Sequence, residues 1–155
     1  MAGSHEPDGR EAGAGAVGAL EDEITLLART LEAVQRKRAY PLDRAAYLLL
    51  RLIEAEGQQP VGAIARLLLL DDSTATRQVA AMAKAGLVRK RRNPADARSF
   101  VVEATAQGIA AAAEMRARRL ARIGAMLEGW GEAERQAAAQ TIGKLNAALR
   151  KSVEG

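Results

Sequence analysis

Residues 64–100 run IARLLLLDDSTATRQVAAMAKAGLVRKRRNPADARSF, and the reading of this stretch decides the fold. Its first residues continue a short helix that begins at Val61 and ends near Leu69, packed through Ile64, Ala65 and Leu68, with Leu70 leading into a turn. Asp71-Asp72-Ser73 is then a helix-start signal, because short side-chain oxygens accept hydrogen bonds from the free amides of a first turn. A helix is predicted from about Ser73 to Ala85. At 100° per residue, Ala75, Val79, Met82 and Gly86 share one face, while Ser73, Arg77, Ala80 and Lys84 gather on the opposite one. The inner face is apolar and the outer face is small, polar and basic. Gly86 ends the helix. Leu87-Val88 and Phe100-Val101-Val102 supply the β-favouring residues of two short strands around a turn at Asn93-Pro94-Ala95-Asp96.

Upstream, Leu42 to about Glu56 predicts a helix buried through Leu48, Leu49, Leu52 and Ile53, closed by Gly57 as a C-cap. Tyr40-Pro41 separates it from an earlier helix, since proline lacks the amide hydrogen and disfavours helix in the residue before it. In that first helix Leu20, Ile24, Leu27, Leu31 and Val34 recur in alternating steps of four and three, a narrow seam of coiled-coil type. Downstream the periodicity predicts two more helices. One runs from Gln107 to about Glu128 with Ile109, Ala113, Leu120, Ile123 and Leu127 inward. The other runs from Glu132 to about Arg150 with Ala138, Ile142, Leu145 and Leu149 inward. Residues 1–18, MAGSHEPDGREAGAGAVG, are Gly-rich and polar, with too few large apolar side chains to offset the entropy of ordering them, and are expected to form a disordered leader. Glu6, Asp8 and Glu11 stand where a secretory signal needs a basic start and an apolar core, so a cytoplasmic location is expected.

The chain has 155 residues, the size of one domain, taken as residues 19–155. With 48% hydrophobic and 27% charged residues it has an ordinary globular composition, and its apolar runs fall short of a membrane span. The 23 basic residues exceed the 19 acidic ones, a net charge of +4 that favours an anionic partner. There is no cysteine, which excludes disulfides, thiol nucleophiles, thiol redox sensing and thiolate metal sites. The single histidine, His5, lies in the expected leader, leaving the folded part without an imidazole for acid-base work or a transition metal. No catalytic motif remains among Asp, Glu, Lys and Tyr. An enzyme is not expected, nor a cofactor or a metal.

A short helix, a tight turn, a helix with a polar outer face and then a basic hairpin is what a winged helix-turn-helix uses to place one helix in a DNA major groove. The fold class is therefore mainly α with a small β-hairpin. The residues also resemble a family: Ile64-Ala65-x-x-Leu68-x-Leu70-Asp71-x-Ser73-Thr74-x-Thr76-Arg77, Lys84-x-Gly86-Leu87-Val88-x-x-Arg91, Asp96-x-Arg98 and Thr105-x-x-Gly108 together look like the MarR family of bacterial transcription regulators. The resemblance is continuous from about Ile64 to Gly108. Met82 stands where that family usually has Leu, Ala104 where it usually has the Leu of a Leu-Thr pair, and Ser99 where a second Arg is common.

The resemblance implies a DNA-binding lobe at about 42–105 and dimerisation helices at about 20–38 and 107–150. It implies a homodimer on a pseudo-palindromic stretch of double-stranded DNA, most often acting as a repressor. Ser73, Thr74, Thr76 and Arg77 would reach phosphates and base edges, with Arg77 able to donate two hydrogen bonds to a guanine. Lys84 lies on the same outer face. Lys90, Arg91, Arg92 and Arg98 would form a cationic wing for the minor groove, where the potential is most negative. Asp96 is expected to fix the hairpin and orient an arginine, since a carboxylate repels phosphate. Leu20, Ile24, Leu27, Leu31 and Val34, with Ile142, Leu145 and Leu149, would be buried between subunits. Arg116, Arg118, Arg119 and Arg122 are read as a solvated set that pairs with local acids. A small aromatic or anionic effector is the switch that the family implies. Tyr40 and Tyr47, flanking the turn between the first two helices, are its candidate contacts. The competing assignment from another class is a protein-interaction module on the same fold without specific DNA binding, against which Arg77, Arg91 and Arg98 argue.

Overall fold

The computed structural model describes residues 9–36 and 40–154. It divides into two units, residues 1–39 and 40–155. The first contains one helix, α1 (Gly9–Arg36). Its start corrects the expected leader: residues 1–8 lie outside the described residues, but from Gly9 the chain is helical. Alanines and Glu11 between the glycines favour helix, and extending an existing helix adds a hydrogen bond per residue without a new nucleus. Within the seam, Leu20, Leu27 and Leu31 are exposed in the single chain, and Ile24 and Val34 are partly covered.

The second unit holds α2 (Arg44–Glu56), α3 (Val61–Leu67), α4 (Asp72–Lys84), β1 (Val88–Asn93), β2 (Asp96–Ala104), α5 (Ala106–Met126) and α6 (Glu132–Glu154). Local chemistry sets most of these boundaries. Asp43 caps α2, its Oδ1 accepting the Ala46 N–H at 2.7 Å, and Gly57 closes the helix at φ 75° with its own N–H on the Ile53 carbonyl. Between α3 and α4 the chain turns through Leu69, a non-glycine residue at φ 55°, and the Leu70 N–H donates back to the Ala65 carbonyl at 2.8 Å.

The β1–β2 hairpin is antiparallel, pairing Val88 with Ala104, Lys90 with Val102 and Arg92 with Phe100, and shifts register at Arg92/Asn93. A third segment, not foreseen from sequence, joins its edge: Gln59 and Val102 exchange backbone hydrogen bonds of 3.1 and 2.8 Å just before α3. The core forms where α2, α3, α4, the hairpin and α5 meet, around Leu49, Leu50, Ile64, Val79, Met82, Val102 and Met115. Each such large side chain contributes roughly 1.5–3 kcal/mol by leaving water.

Three expected faces differ from the structure; on α6 the expected inward residues Ile142 and Leu149 are exposed in the single chain and Ala138 and Leu145 are half-buried. In α2 the buried residues are Ala46, Leu49, Leu50 and Ile53, whereas Leu48 is exposed and Leu52 only half-buried. In α5 the inward residues are Gly108, Ala112 and Met115; Ile109, Ala113, Leu120 and Ile123 are exposed and Leu127 is half-buried. The reason is distance. A Cβ on Gly108 would lie 2.0 Å from the Leu87 carbonyl oxygen, so α5 runs too close to the start of β1 for its large aliphatic face to fit there.

Candidate nucleic-acid interface

Helix α4 buries Ala75, Val79 and Met82, and this fixes what its other side presents. Ser73, Thr76, Arg77 and Lys84 are exposed, and Thr74 is half-buried at the edge. Asp71 organises the first turn: its Oδ1 accepts the Thr74 N–H at 2.7 Å and the Ser73 hydroxyl at 2.5 Å, and its Oδ2 accepts the Thr74 hydroxyl at 2.7 Å. These hydrogen bonds, the Ser73 hydroxyl foremost, hold the Asp71 carboxyl well below the usual carboxylate range. Both hydroxyl hydrogens are therefore engaged within the protein, leaving lone pairs as the outward-facing chemistry of Ser73 and Thr74. Arg77 Nη2 donates to Thr74 Oγ1 at 3.2 Å. Gln78, between the two faces, has a buried Nε2 without a partner.

The hairpin carries the second basic group. Along β1 the side chains alternate, so the run Arg89 to Arg92 divides into two pairs. Arg89 Nε and Arg91 Nη1 both turn to Glu103, the latter at 3.5 Å. Glu103 is thereby held below the ordinary carboxylate range, by the Arg89 hydrogen bond first. Lys90 is exposed, and the Arg92 guanidinium lies 5.8 Å from the centre of the exposed Phe100 ring. At the tip, Asp96 Oδ1 accepts the Arg98 backbone N–H at 3.0 Å, and the Arg98 side chain is exposed. Asn93 Nδ2 donates to Ser99 Oγ at 3.0 Å, and the Ser99 hydroxyl donates to the Asp96 carbonyl at 3.1 Å. Ser99, at a position where an arginine is common in the resembling family, thus braces the turn.

The tyrosines have other partners. Arg122 Nη1 donates to the Tyr40 hydroxyl, and Arg119 stacks 5.3 Å from the centre of the Tyr47 ring. Two of the α5 arginines thus hold the entry to α2 and are not simply solvated, while Arg118 pairs with Glu114 as expected of a local pair. A cavity of about 580 Å³ opens elsewhere, between α2, β2 and α5. Its walls include Leu50, Ile53, Ala112 and Leu120, with Arg116 and Glu103 among the polar lining, and neither tyrosine belongs to it.

Glu103, Arg89, Asn93 and Ser99 were not singled out from sequence as site residues. An acid opposite a period-two pair of arginines was the available signal for the first two. Among the described residues no cluster of metal-ligating side chains occurs, and no helix is long and apolar enough to cross a membrane.

Comparison with known proteins agrees with this geometry. The MarR family model matches residues 42–100. An uncharacterised HTH-type transcriptional regulator of Bacillus subtilis, YxaD, is 30% identical over 132 residues, covering 84% of this chain and 92% of its own. A MarR family protein from Bacillus stearothermophilus superposes with a TM-score of 0.75 at 22% identity, covering 88% of this chain and 96% of its own. The PcaV transcriptional regulator from Streptomyces coelicolor, solved with its natural ligand, gives 0.59 at 19% identity, with 96% and 99% covered. With a winged helix-turn-helix in the structure and the 30% identical Bacillus subtilis regulator matching most of its length, the chain belongs to the MarR family of DNA-binding transcriptional regulators.

Proposed function

We propose that the protein is a homodimeric repressor that binds a pseudo-palindromic operator and is released by a small organic ligand. The observation that carries DNA reading is the division of α4: Ala75, Val79 and Met82 lock one face into the core, so the face with Thr76, Arg77 and Lys84 stands out from the protein, next in sequence to a basic hairpin. In this assignment Arg77 reads a base edge and Arg98 enters the minor groove. Lys90 and Arg92 add phosphate contacts, and Arg91 contributes through the edge of its ion pair with Glu103.

Dimerisation is supported by the apolar side chains that one chain leaves in water: Leu20, Leu27 and Leu31 on α1, with Ile142 and Leu149 on α6. Large apolar side chains left exposed along one face of a helix mark an interface. Two copies related by a twofold axis would present two recognition helices to half-sites roughly 34 Å apart. Effector binding is supported by the cavity between α2, β2 and α5, whose apolar walls suit a small aromatic molecule and whose polar lining offers Arg116 beside Glu54 and Glu103. PcaV, of the same fold, was solved with a ligand.

Selection from a random duplex pool tests the central claim. A preferred duplex should emerge whose affinity far exceeds that for random DNA and falls steeply with salt. No enrichment at moderate salt refutes it. Phenolic and aromatic carboxylate compounds, screened by thermal shift and by release of that duplex, test the effector. An authentic effector weakens DNA binding and is itself bound less tightly in the presence of the duplex.

A further inference from the structure

We propose that Asp71 is a positioning residue for base readout: acting through the Thr74 hydroxyl, it fixes the guanidinium of Arg77 on the outer face of α4. The proposal rests on α4 being the helix that reads DNA. The relay has two links, Thr74 Oγ1 to Asp71 Oδ2 at 2.7 Å and Arg77 Nη2 to Thr74 Oγ1 at 3.2 Å. A hydroxyl has one hydrogen and two lone pairs. Because Asp71 accepts that hydrogen, Thr74 Oγ1 is left as an acceptor, and the group within reach that lacks any acceptor of its own is the guanidinium.

A helix cap alone does not require aspartate here, since asparagine caps as well. A carboxylate at the start of a DNA-reading helix even repels the phosphates. What Asp71 adds is a second acceptor oxygen: Oδ1 takes the cap N–H and the Ser73 hydroxyl, and Oδ2 sets the direction of the Thr74 hydroxyl. Arg77 has five N–H donors in a planar fork, and one of them is used by Thr74. The others remain for a base edge, which takes two. Holding this long side chain before DNA arrives removes part of the ordering cost that binding would otherwise carry, an effect of about 2- to 10-fold in affinity.

The test uses the full-length protein, a duplex selected from a random pool, and every single base-pair substitution of that duplex. Arg77→Ala should flatten discrimination at one or two base pairs. Thr74→Val, which keeps the shape and removes the hydroxyl, should flatten it at the same pairs by about 2- to 10-fold. Asp71→Asn keeps the cap oxygen but turns an N–H donor toward Thr74 Oγ1, and should do the same. By removing a negative charge it should also bind random-sequence duplex more tightly. In the Arg77→Ala background neither substitution should change discrimination further.

The proposal is overturned if Thr74→Val and Asp71→Asn discriminate like the parent while Arg77→Ala does not, which leaves the DNA-reading role of α4 intact. It is overturned equally if they weaken all duplexes alike, or if their losses add to that of Arg77→Ala. Full discrimination by Arg77→Ala, or a parent protein with no preferred duplex, removes the underlying assignment of α4 and the relay with it.

Discussion

Replacing Gly108 by alanine should injure the protein although alanine is the better helix former. The gain in helix propensity is roughly 1 kcal/mol. Against it stands the new methyl group, whose carbon would lie 2.0 Å from the Leu87 carbonyl oxygen, 3.0 Å from the Leu87 carbonyl carbon and 3.1 Å from Leu50 Cδ2. Close carbon–oxygen contacts in proteins are about 3.3 Å or longer. More than 1 Å of movement is therefore needed, and the first obstacle is backbone, not the end of a flexible side chain. That carbonyl also accepts the Thr105 N–H at 3.1 Å, so it cannot retreat without straining the junction between β2 and α5. Overpacking of a tight site costs about 1–3 kcal/mol, and a backbone obstacle puts this one in the upper part of that range, giving a net loss of about 1–2 kcal/mol after the propensity gain. For a chain of this size the melting temperature should drop by about 2–8 °C. Differential scanning calorimetry at fixed protein concentration measures it, with Gly62→Ala as the contrast. A Cβ at Gly62 meets nothing within 4 Å, so that variant should match the parent or gain up to about 1 kcal/mol. If Gly108→Ala melts with or above the parent, the close approach of α5 to β1 is not what selects the glycine.

Thr105→Val should cost about 1–2 kcal/mol in chemical denaturation, because it strips the cap from the Gly108 N–H and the partner from the Gly86 carbonyl at once. Glu103 has a folded-state pKa depressed below its ordinary 4.5, so its contribution to stability is fully present above that value and is lost as pH falls through the lower folded-state value. The denaturation free energies of the parent and Glu103→Gln should accordingly converge on acidification below about pH 4.5 and stay separated by a constant amount from pH 6 to 8. Arg98→Ala should weaken all duplexes alike and flatten the salt dependence by about one unit of slope, as read by fluorescence anisotropy at several salt concentrations. Light scattering at micromolar concentration should give twice the chain mass, and Leu27→Lys with Leu31→Lys should shift it toward a single chain.

The elements with self-contained signals were legible in the sequence. Asp71 followed by hydroxyl residues marks the start of α4, and Gly57 and Gly86 adopt the positive φ that ends α2 and follows α4, because each of these signals acts within four residues of itself. Faces that depend on a distant partner were less legible. The periodicity of α5 favours its large aliphatic residues, yet the core accepts Gly108, Ala112 and Met115, since the first turn of α5 passes too close to the Leu87 backbone for a side chain at 108. The Gln59–Val102 bridge pairs residues far apart in the chain and leaves no local pattern. In the basic wing the charge run was plain, but the alternation that commits Arg89 and Arg91 to Glu103 required the strand register. The tyrosines illustrate the same limit. Their amphipathic chemistry is visible in the sequence, whereas the α5 arginines that engage them are about 70 to 80 residues away in the chain.

One junction connects α4 and the hairpin, the two elements proposed to face DNA, to α5. The Thr105 hydroxyl donates to the Gly86 carbonyl at 2.6 Å, and its oxygen accepts the Gly108 N–H at 3.0 Å, so a single side chain ties the end of α4 to the first turn of α5. Beside it the Leu87 N–H donates to the Met82 carbonyl of α4, and the Leu87 carbonyl accepts the Thr105 N–H at the end of β2. Gly108 allows all of this by letting the backbones approach without a Cβ between them. Packing this close has little compliance, since an interior at crystal-like density transmits a shift instead of absorbing it. A ligand in the cavity between α2, β2 and α5 would bear on Ala112 and Arg116, one and two turns beyond Gly108 on the same helix. Displacement of α5 there would be delivered through Thr105 and Leu87 to the recognition helix and the wing together, changing their joint fit to DNA. The coupling is thermodynamically reciprocal, so operator binding would reshape the cavity by the same route. Thr105→Val, by cutting this link, should then lower the factor by which an effector weakens DNA binding in addition to its cost in stability. An unchanged factor in that variant, measured from duplex affinities with and without a saturating effector, would place the communication outside this junction.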